Sequence, residues 1–241
     1  MDATSQASPQ GQRGSPVHKG ITAELVVEAA LELTREQGFD GWSIRELAGR
    51  LGVATSAIYH HVGGREVVAR RAVQSLVAGF ERTPADLPWQ QWFEQTLLRI
   101  RRGLQEYPGV AHWLLMHGPS MPEATDIVDA GIGALERAGF GSRSAYAYSL
   151  LFNLAVGTIV LSDDRRLATA DSGLGAMLSA FSALAPESHG LAAISEQLLG
   201  PMAPADHGDD DVRAAYYLAT IRTTVRGLEA ELALGVGNPG A

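Results

Sequence analysis

The side chains best suited to contact another molecule lie near the N-terminal end of the chain. Hydroxyls, imidazoles, guanidinium groups and one phenol recur there at short intervals: Ser43, Arg45, Thr55, Ser56, Tyr59, His60, His61 and Arg65. Such groups hydrogen-bond to phosphate oxygens and to base edges, and a small residue such as Ala57 fits against a thymine methyl. This stretch therefore indicates contact with nucleic acid.

Other chemistries have little support. The chain contains no cysteine, so disulfides, thiolate catalysis and cysteine-based zinc sites are excluded. His112 and His117 are five residues apart and would not share one face of a helix, so they make a poor metal pair. The sequence shows no nucleophile elbow, phosphate loop or metal-ligand spacing. We therefore expect no cofactor, no metal and no catalytic residue.

The polar groups fall on a pattern of short helices. An apolar stripe with a three-to-four spacing predicts a first helix from Thr22, which can cap it, to Gly38. The sequence Ser43-Ile44-Arg45-Glu46 is a capping box, so a second helix begins at Ser43 and runs to Leu51. Gly52 supplies a tight turn, a third helix covers about Thr55–His61, and a longer helix follows over Arg65–Glu81. Two short helices joined in this way form a helix-turn-helix, whose second helix enters the major groove.

The chain resembles the TetR family of transcriptional regulators from about Ile21 to Val73. The likeness is carried by four spaced motifs, which are Gly38-Phe39, Ser43-Ile44-Arg45-Glu46-Leu47-Ala48, Gly52-Val53 and Ile58-Tyr59-His60-His61, followed by Arg65-Glu66. It implies operator binding through base contacts of Thr55, Ser56 and Ala57. It also implies phosphate and helix-packing contacts of Tyr59 and His61. The full set of expected DNA contacts is Thr22, Ser43, Arg45, Thr55, Ser56, Ala57, Tyr59, His60, His61 and Arg65.

Three positions depart from the family pattern. Ala54 stands where a capping Ser or Thr is common, so the third helix should be weakly capped. Ala57 replaces a common Thr and removes one hydroxyl contact. Gly63-Gly64 is more flexible than the usual turn that contains Pro. We expect a less pre-organised reading helix but retained DNA binding.

Charge is unevenly distributed along the chain. The net charge is −8, yet residues 41–71 hold five Arg against two Glu, whereas residues 163–241 hold eleven acidic residues against five Arg. A mildly basic end on an acidic body fits DNA contact through one small face. The excess of Arg over Lys is attributed to a GC-rich coding sequence.

The predicted fold class is all-α. We expect a disordered arm over residues 1–20, a three-helix helix-turn-helix DNA-binding domain over 21–66, and a larger helical dimerisation and ligand-binding domain over 67–241. In the body, Pro84–Pro88 should form a hinge. Helices are predicted near 89–106, 109–117, 122–138, 142–161 and 212–234. Segment 162–210 should hold one or two short helices, and Asp163-Asp164-Arg165-Arg166 should form a solvated loop.

The resemblance implies a homodimer and a small-molecule effector. The helices near 142–161 and 212–234 are apolar on several faces and should pair with a second copy. Aromatic and Met side chains with a few polar groups suit a largely apolar ligand. The candidate ligand contacts are Trp89, Phe93, His112, Trp113, Met116, His117, Met121, Phe152 and Asn153, and the wider set adds Trp92 and Phe140.

Three readings of the function stay open at this point. The first is a repressor that binds a near-palindromic operator as a dimer and is released by a small ligand. The second is a small helical enzyme that uses His112 or His117 with a carboxylate such as Glu94 or Asp126. The third is an activator, or a regulator controlled by a protein partner. The polar N-terminus and the absence of about 20 uninterrupted apolar residues favour a cytoplasmic protein with no membrane contact.

Overall fold

The molecule is built from helices. A computed structural model of the chain describes residues 21–167, 173–199 and 210–235, and within these ranges every regular element is helical. The all-α fold class is therefore confirmed. The predicted N-terminal arm over residues 1–20 lies outside the described residues.

Three short helices form the N-terminal unit, and a fourth leads away from it. They are α1 (Ala23–Gln37), α2 (Ile44–Leu51), α3 (Thr55–His61) and α4 (Arg65–Ala78). Thr22 caps α1 by accepting a hydrogen bond from the backbone N–H of Leu25, as predicted. Packing of α1 against α2 and α4, and of α2 against α3, encloses a small core. Fully buried members of this core are Val26, Ala30, Leu33, Leu47, Ile58 and Val68.

In the described part of the body, seven further α-helices follow. They are α5 (Trp89–Leu104), α6 (Val110–His117), α7 (Thr125–Arg137), α8 (Ser144–Leu167), α9 (Gly173–Leu184), α10 (His189–Ile194) and α11 (Asp210–Ala233). Short 3-10 turns lie at Pro122–Ala124, Gly141–Arg143 and Ala185–Glu187, and a π-helical turn at Ser195–Leu199. The five predicted body helices are present within a few residues of their expected bounds, and α9 and α10 are the predicted short helices of segment 162–210.

Helix α8 is the centre of the body, because it packs against α5, α6, α7 and α11. The apolar stripe of α11 meets α5 and α8 through Tyr217, Ile221, Val225 and Leu228, which are all buried. The Tyr217 hydroxyl donates to the carbonyl oxygen of Leu97 at 2.8 Å. Burial raises the pKa of Tyr217, so the phenol stays neutral and keeps this donor.

Arginine side chains bind the connector between α4 and α5. Helix α4 ends at Ala78, and Arg82 just after it donates to four groups, the carbonyls of Val77, Phe80 and Glu123 and the carboxylate of Asp126. Arg99 bonds to Thr83 Oγ1 at 2.7 Å, and Arg137 bonds to the carbonyl of Ala85 at 2.6 Å. These bonds hold residues 82–85 against α5 and α7, and the hinge predicted from Pro84–Pro88 remains a prediction.

The charged run after residue 161 is also not a loop. Helix α8 continues through it to Leu167, and Asp163 is buried, with only 3% of its surface exposed. Its Oδ2 accepts a hydrogen bond from the backbone N–H of Gly109 at 3.2 Å. The predicted solvated loop is wrong, because this tertiary contact favours continued helix.

The segment Gly141–Asp163 is long and apolar enough, by length and composition, to cross a membrane. It is the one such helix among the described residues, and 44% of its most apolar window is buried inside the protein. The core helix of a soluble protein passes the same test. We relate its exposed apolar side chains to a protein interface below.

A tight contact in the body core allows a stability test. A Cβ atom at Gly131 of α7 would lie 2.7 Å from the Tyr148 ring and 2.9 Å from the Trp92 ring, whereas one at Gly49 of α2 would meet no atom within 4 Å. We expect Gly131→Ala to lower the free energy of unfolding by about 1–3 kcal/mol through overpacking. Gly49→Ala should raise it by about 0.5–1 kcal/mol, because alanine favours helix. Chemical denaturation followed by circular dichroism measures both, and equal effects of the two substitutions would contradict the packing described here.

Candidate functional site

The helix-turn-helix has the predicted local structure. The Ser43 hydroxyl accepts from the Glu46 backbone N–H at 3.2 Å, and the Glu46 carboxylate accepts from the Ser43 backbone N–H at 2.8 Å, which completes the capping box. Gly52 ends α2 with a φ of 66° and turns the chain into α3. Leu47 and Ile58 are both fully buried and fix the angle between the two helices. Because Ala54 makes no side-chain cap, α3 starts without the hydrogen bond that Ser or Thr would give.

Helix α3 presents a polar face to solvent. Thr55, Ser56, His60 and His61 are exposed, and Tyr59 keeps 58% of its surface accessible. Ala57 is half-buried at the edge of this face. Since Ile58 alone of the helix is buried, the remaining side chains are available to an outside partner. Residues predicted to contact bases and phosphates thus share one exposed surface.

Two of the predicted contacts also serve as helix caps. Thr22 Oγ1 accepts from Leu25 N at 3.3 Å. Ser43 Oγ accepts from the backbone N–H of Glu46 and donates to the Glu46 carboxylate at 2.7 Å. The hydroxyl hydrogen of Ser43 is therefore already used. Arg45, the second residue of α2, is exposed. Arg45 is therefore better placed than Ser43 to donate to a phosphate.

Arg65 makes intramolecular contacts that the sequence analysis did not foresee. Its Nε donates to the carbonyl oxygen of Trp42 at 3.1 Å, and its Nη2 donates to the carbonyl oxygen of Phe39 and lies 3.3 Å from the Asp40 carboxylate. The guanidinium carbon lies 4.7 Å from the centroid of the Trp42 ring, a cation–π distance. This fork fastens the turn between α1 and α2 to the start of α4. The predicted contact of Arg65 with DNA remains a prediction.

The basic character of this region is partly neutralised inside the protein. Arg50 forms ion pairs with Glu32 and Glu36 of α1, and its hydrogen bond holds the pKa of Glu36 below the usual value. When α1 is counted, residues 21–71 carry six Arg against seven acidic residues. Positive charge on the exposed surface of α2 and α3 therefore comes from Arg45, because Arg50 is paired and α3 carries no Arg or Lys.

The predicted ligand contacts separate into two groups. Trp89, Phe93, Met121 and Phe152 are buried in the body. His112, Met116, His117 and Asn153 are exposed, and Trp113 is half-buried with its ring stacked on His117 at a centroid distance of 4.2 Å. Asn153 Nδ2 donates to Ser149 Oγ at 3.2 Å on the surface of α8. The structure thus brings together the aromatic half of the predicted set but not the polar half.

The buried half belongs to a larger aromatic cluster between α5 and α8. Edge-to-face contacts join Trp89 to Phe140 at 5.1 Å, Trp92 to Phe93 at 4.9 Å, and Phe93 to Tyr148 at 5.9 Å. Tyr148 stacks on Phe152 at 6.1 Å, and burial raises the pKa of its phenol. The sequence analysis missed Tyr148, although its four-residue spacing from Phe152 on one helix face was a usable signal.

The carboxylates of the enzyme reading are engaged elsewhere. Glu94 pairs with Arg222 of α11, and Asp126 pairs with Arg82 at 2.6 Å. The hydrogen bond from Arg82 holds the pKa of Asp126 below its usual value. Within the described ranges, no group of three His, Asp or Glu residues is arranged to hold a metal ion.

Comparison with known proteins agrees with this geometry. Residues 26–72 match the family model described as bacterial regulatory proteins, tetR family. Tetracycline repressor protein class D of Escherichia coli is 29% identical over 161 residues, covering 63% of this chain and 71% of the relative.

Solved structures share the fold over most of the chain. ActR of Streptomyces coelicolor in complex with actinorhodin superposes with a TM-score of 0.63 at 18% identity, covering 87% of this chain and 97% of ActR. A TetR transcriptional regulator from the same organism gives a TM-score of 0.61 at 22% identity, covering 87% and 98%. Regulators of this kind are not enzymes. This removes the interpretation of the chain as a small helical enzyme that uses His112 or His117. The helix-turn-helix with its exposed α3 and the match of residues 26–72 identify the N-terminal unit of this chain as the DNA-binding unit of the tetR family of bacterial regulatory proteins.

Proposed function

We propose that this chain is a homodimeric repressor that binds a near-palindromic operator and is released from it by a small, largely apolar ligand. The observation that carries the DNA-binding half is the exposed polar face of α3, set on a core that its one buried residue, Ile58, anchors. A helix of this size fits the major groove of B-DNA. The related proteins are named repressors, which favours repression over activation.

Each exposed group on α2 and α3 has a role in this proposal. Thr55 and Ser56 open α3 and reach base edges, and the Ala57 methyl lies beside them for a thymine contact. Tyr59 and His61 lie one to two turns further on and contact phosphates. His60 reads a base or touches a phosphate, and Arg45 reaches the backbone from α2.

The second copy is expected to cover an apolar face of the body. Exposed large apolar side chains lie on the two longest helices: Tyr146, Leu150, Leu154 and Leu161 on α8, and Val212 and Tyr216 on α11. The first three are spaced by four residues and form one stripe. Because α8 and α11 pack side by side, two copies related by a two-fold axis form a four-helix arrangement. Such a dimer presents two α3 helices to half-sites about 34–36 Å apart.

The ligand is expected to enter among the aromatic side chains of the body. Trp89, Phe93 and Phe152 supply apolar walls for it. The structure of ActR with actinorhodin and the name of the tetracycline repressor support a small-molecule effector. A ligand that binds better to the form with the wrong α3 spacing shifts the population away from DNA. Helix α4 joins the two domains and transmits the change from the ligand site to α3 in this proposal. We place the boundary between the two domains at the start of α4.

A protein of this kind acts where the chromosome is, so we propose a cytoplasmic location. The arm over residues 1–20, with Arg13, His18 and Lys19, adds attraction for the duplex in this proposal.

The first test removes one exposed cation of the reading face. Arg45→Ala should weaken operator binding by about 1–3 kcal/mol and reduce the slope of log affinity against log salt by about 1. The probe is a duplex selected by the wild-type protein from a randomised library, and the measurement is fluorescence anisotropy at several salt concentrations. Arg102→Ala, an exposed cation of α5, is the control and should leave both quantities unchanged. Failure of the wild-type protein to enrich any duplex at low salt would refute DNA binding.

The second test charges the apolar stripe. Leu154→Glu places like charges near the proposed two-fold axis, so we expect a monomer by analytical ultracentrifugation and at least a roughly tenfold loss of operator affinity. Leu184→Glu changes an exposed leucine of α9 in the same way and should remain a dimer. A wild-type protein that sediments as a monomer would contradict the proposed assembly.

The third test uses the reciprocity of linked equilibria. A ligand that weakens operator binding by a given factor must itself bind the operator complex more weakly by the same factor. Tetracycline and actinorhodin are the first probes, with ligand binding followed by tryptophan fluorescence with and without saturating operator. Equal ligand affinity in the two states would show that the compound is not an effector.

A further inference from the structure

A turn in the body contacts both the DNA-binding unit and helix α8. The segment Tyr107–Gly109 joins α5 to α6, and Tyr107 and Pro108 are buried although they lie outside any helix. One side of this turn faces the end of α1, and the other faces α8. We call it the α5–α6 turn.

The DNA-binding unit rests on the α5–α6 turn through main-chain and side-chain bonds. The backbone N–H of Phe39 donates to the carbonyl oxygen of Pro108 at 2.8 Å. Arg35 of α1 donates to the Tyr107 hydroxyl, with its guanidinium carbon 4.7 Å from the ring centroid. Phe39 lies in the turn that leads into α2. Any shift of Pro108 is therefore passed to the start of the helix-turn-helix.

Gly109 shows how closely the α5–α6 turn approaches Phe39 of the DNA-binding unit. Its φ is +90°, and a Cβ atom added there would lie 3.0 Å from the Phe39 Cβ and 3.4 Å from the Phe39 N. A side chain at this position would be strained by the backbone conformation and would press directly on the Phe39 turn. Gly118, at the other end of α6, also has positive φ (+65°), but a Cβ there would meet no atom within 4 Å.

Asp163 holds the opposite side of the same turn. Its carboxylate is almost wholly buried on α8, and Oδ2 accepts from Gly109 N at 3.2 Å. Burying a carboxylate costs free energy unless hydrogen bonds satisfy its oxygens. An aspartate is therefore less favourable for packing at this position than a leucine would be. A continuous chain of hydrogen bonds thus leads from α8 through Gly109 and Pro108 to Phe39.

We propose that Asp163 is a positioning residue for DNA binding: by fixing the α5–α6 turn, it sets the placement of the helix-turn-helix relative to α8. The inference rests on DNA binding by the helix-turn-helix and on no particular ligand. Since α8 carries the proposed subunit interface, Asp163 ties the placement of α3 to the frame of the dimer. Helix α4 is then one of two connections, and the contact through the α5–α6 turn is the second.

The experiment measures affinity and local opening in the same variants. Asp163→Ala and Gly109→Ala should each weaken binding to the library-selected duplex by at least about fivefold, while both proteins stay folded and dimeric. Hydrogen exchange at the Phe39 amide should quicken in both, because its acceptor on Pro108 is no longer fixed. Asp163→Asn keeps an oxygen that can accept from Gly109 and should restore affinity to within about twofold of wild type.

Matched controls separate positioning from general destabilisation. Ile159→Val removes one methyl from the buried face of the same helix, and Gly118→Ala introduces backbone strain at a positive φ without a neighbour. Both should lower the unfolding temperature with no more than about a twofold change in DNA affinity and no change at the Phe39 amide.

The inference is overturned if the Ala variants lose no more DNA affinity than the controls, or if Phe39 exchange is the same as in wild type. If the wild-type protein binds no DNA, the result contradicts the proposed function as a whole instead. The two failures are therefore distinguishable.

Discussion

The placement of α2 and α3 depends on the short turn Phe39–Trp42. The main-chain groups of this turn have no helical partners. Buried carbonyl and amide groups left unpaired would cost free energy, so each must find a bond from elsewhere. Arg65 supplies donors to the carbonyls of Phe39 and Trp42, and Pro108 accepts from the Phe39 amide. Trp42 Nε1 in turn donates to Thr34 Oγ1 at 3.0 Å. The angle at which α2 and α3 leave α1 is therefore fixed by α4 and the body as well as by the three-helix core.

This dependence explains which features the sequence could predict. The bounds of α2 followed from the capping box at Ser43 and from Gly52, because both signals act within a few residues of the helix they define. Arg65 could not be interpreted in the same way. A cation in the first turn of a helix is locally disfavoured and needs a compensating contact, and Arg65 was predicted to find that contact on DNA. In the structure, carbonyls 23 and 26 residues away in the chain provide it, and no local pattern reports such a contact.

The same reasoning applies to α8. The run Asp163-Asp164-Arg165-Arg166 has the composition of a solvated loop, and four consecutive charges predict exposure. The partner of Asp163 is a main-chain amide 54 residues earlier, and a glycine amide leaves no signature in composition. The candidate ligand contacts failed to converge for a related reason. His112 and His117 lie on the same short helix as buried Val110 and Leu114, and the hydrophobicity of α6 alone does not say which of its faces turns inward.

Charge acts on DNA through placement rather than through its total. Glu32 and Glu36 of α1 pair with Arg50, which removes that cation from the field seen by a duplex. What remains exposed on α2 and α3 is Arg45 with neutral donors, and neutral donors add geometry but little long-range attraction. Discrimination between sequences must then come mainly from short-range hydrogen bonds of α3, whose placement is controlled through the Phe39–Trp42 turn. A change of about one ångström at that turn is large compared with the tolerance of a hydrogen bond, and this is why bonds as distant as that of Asp163 matter for recognition.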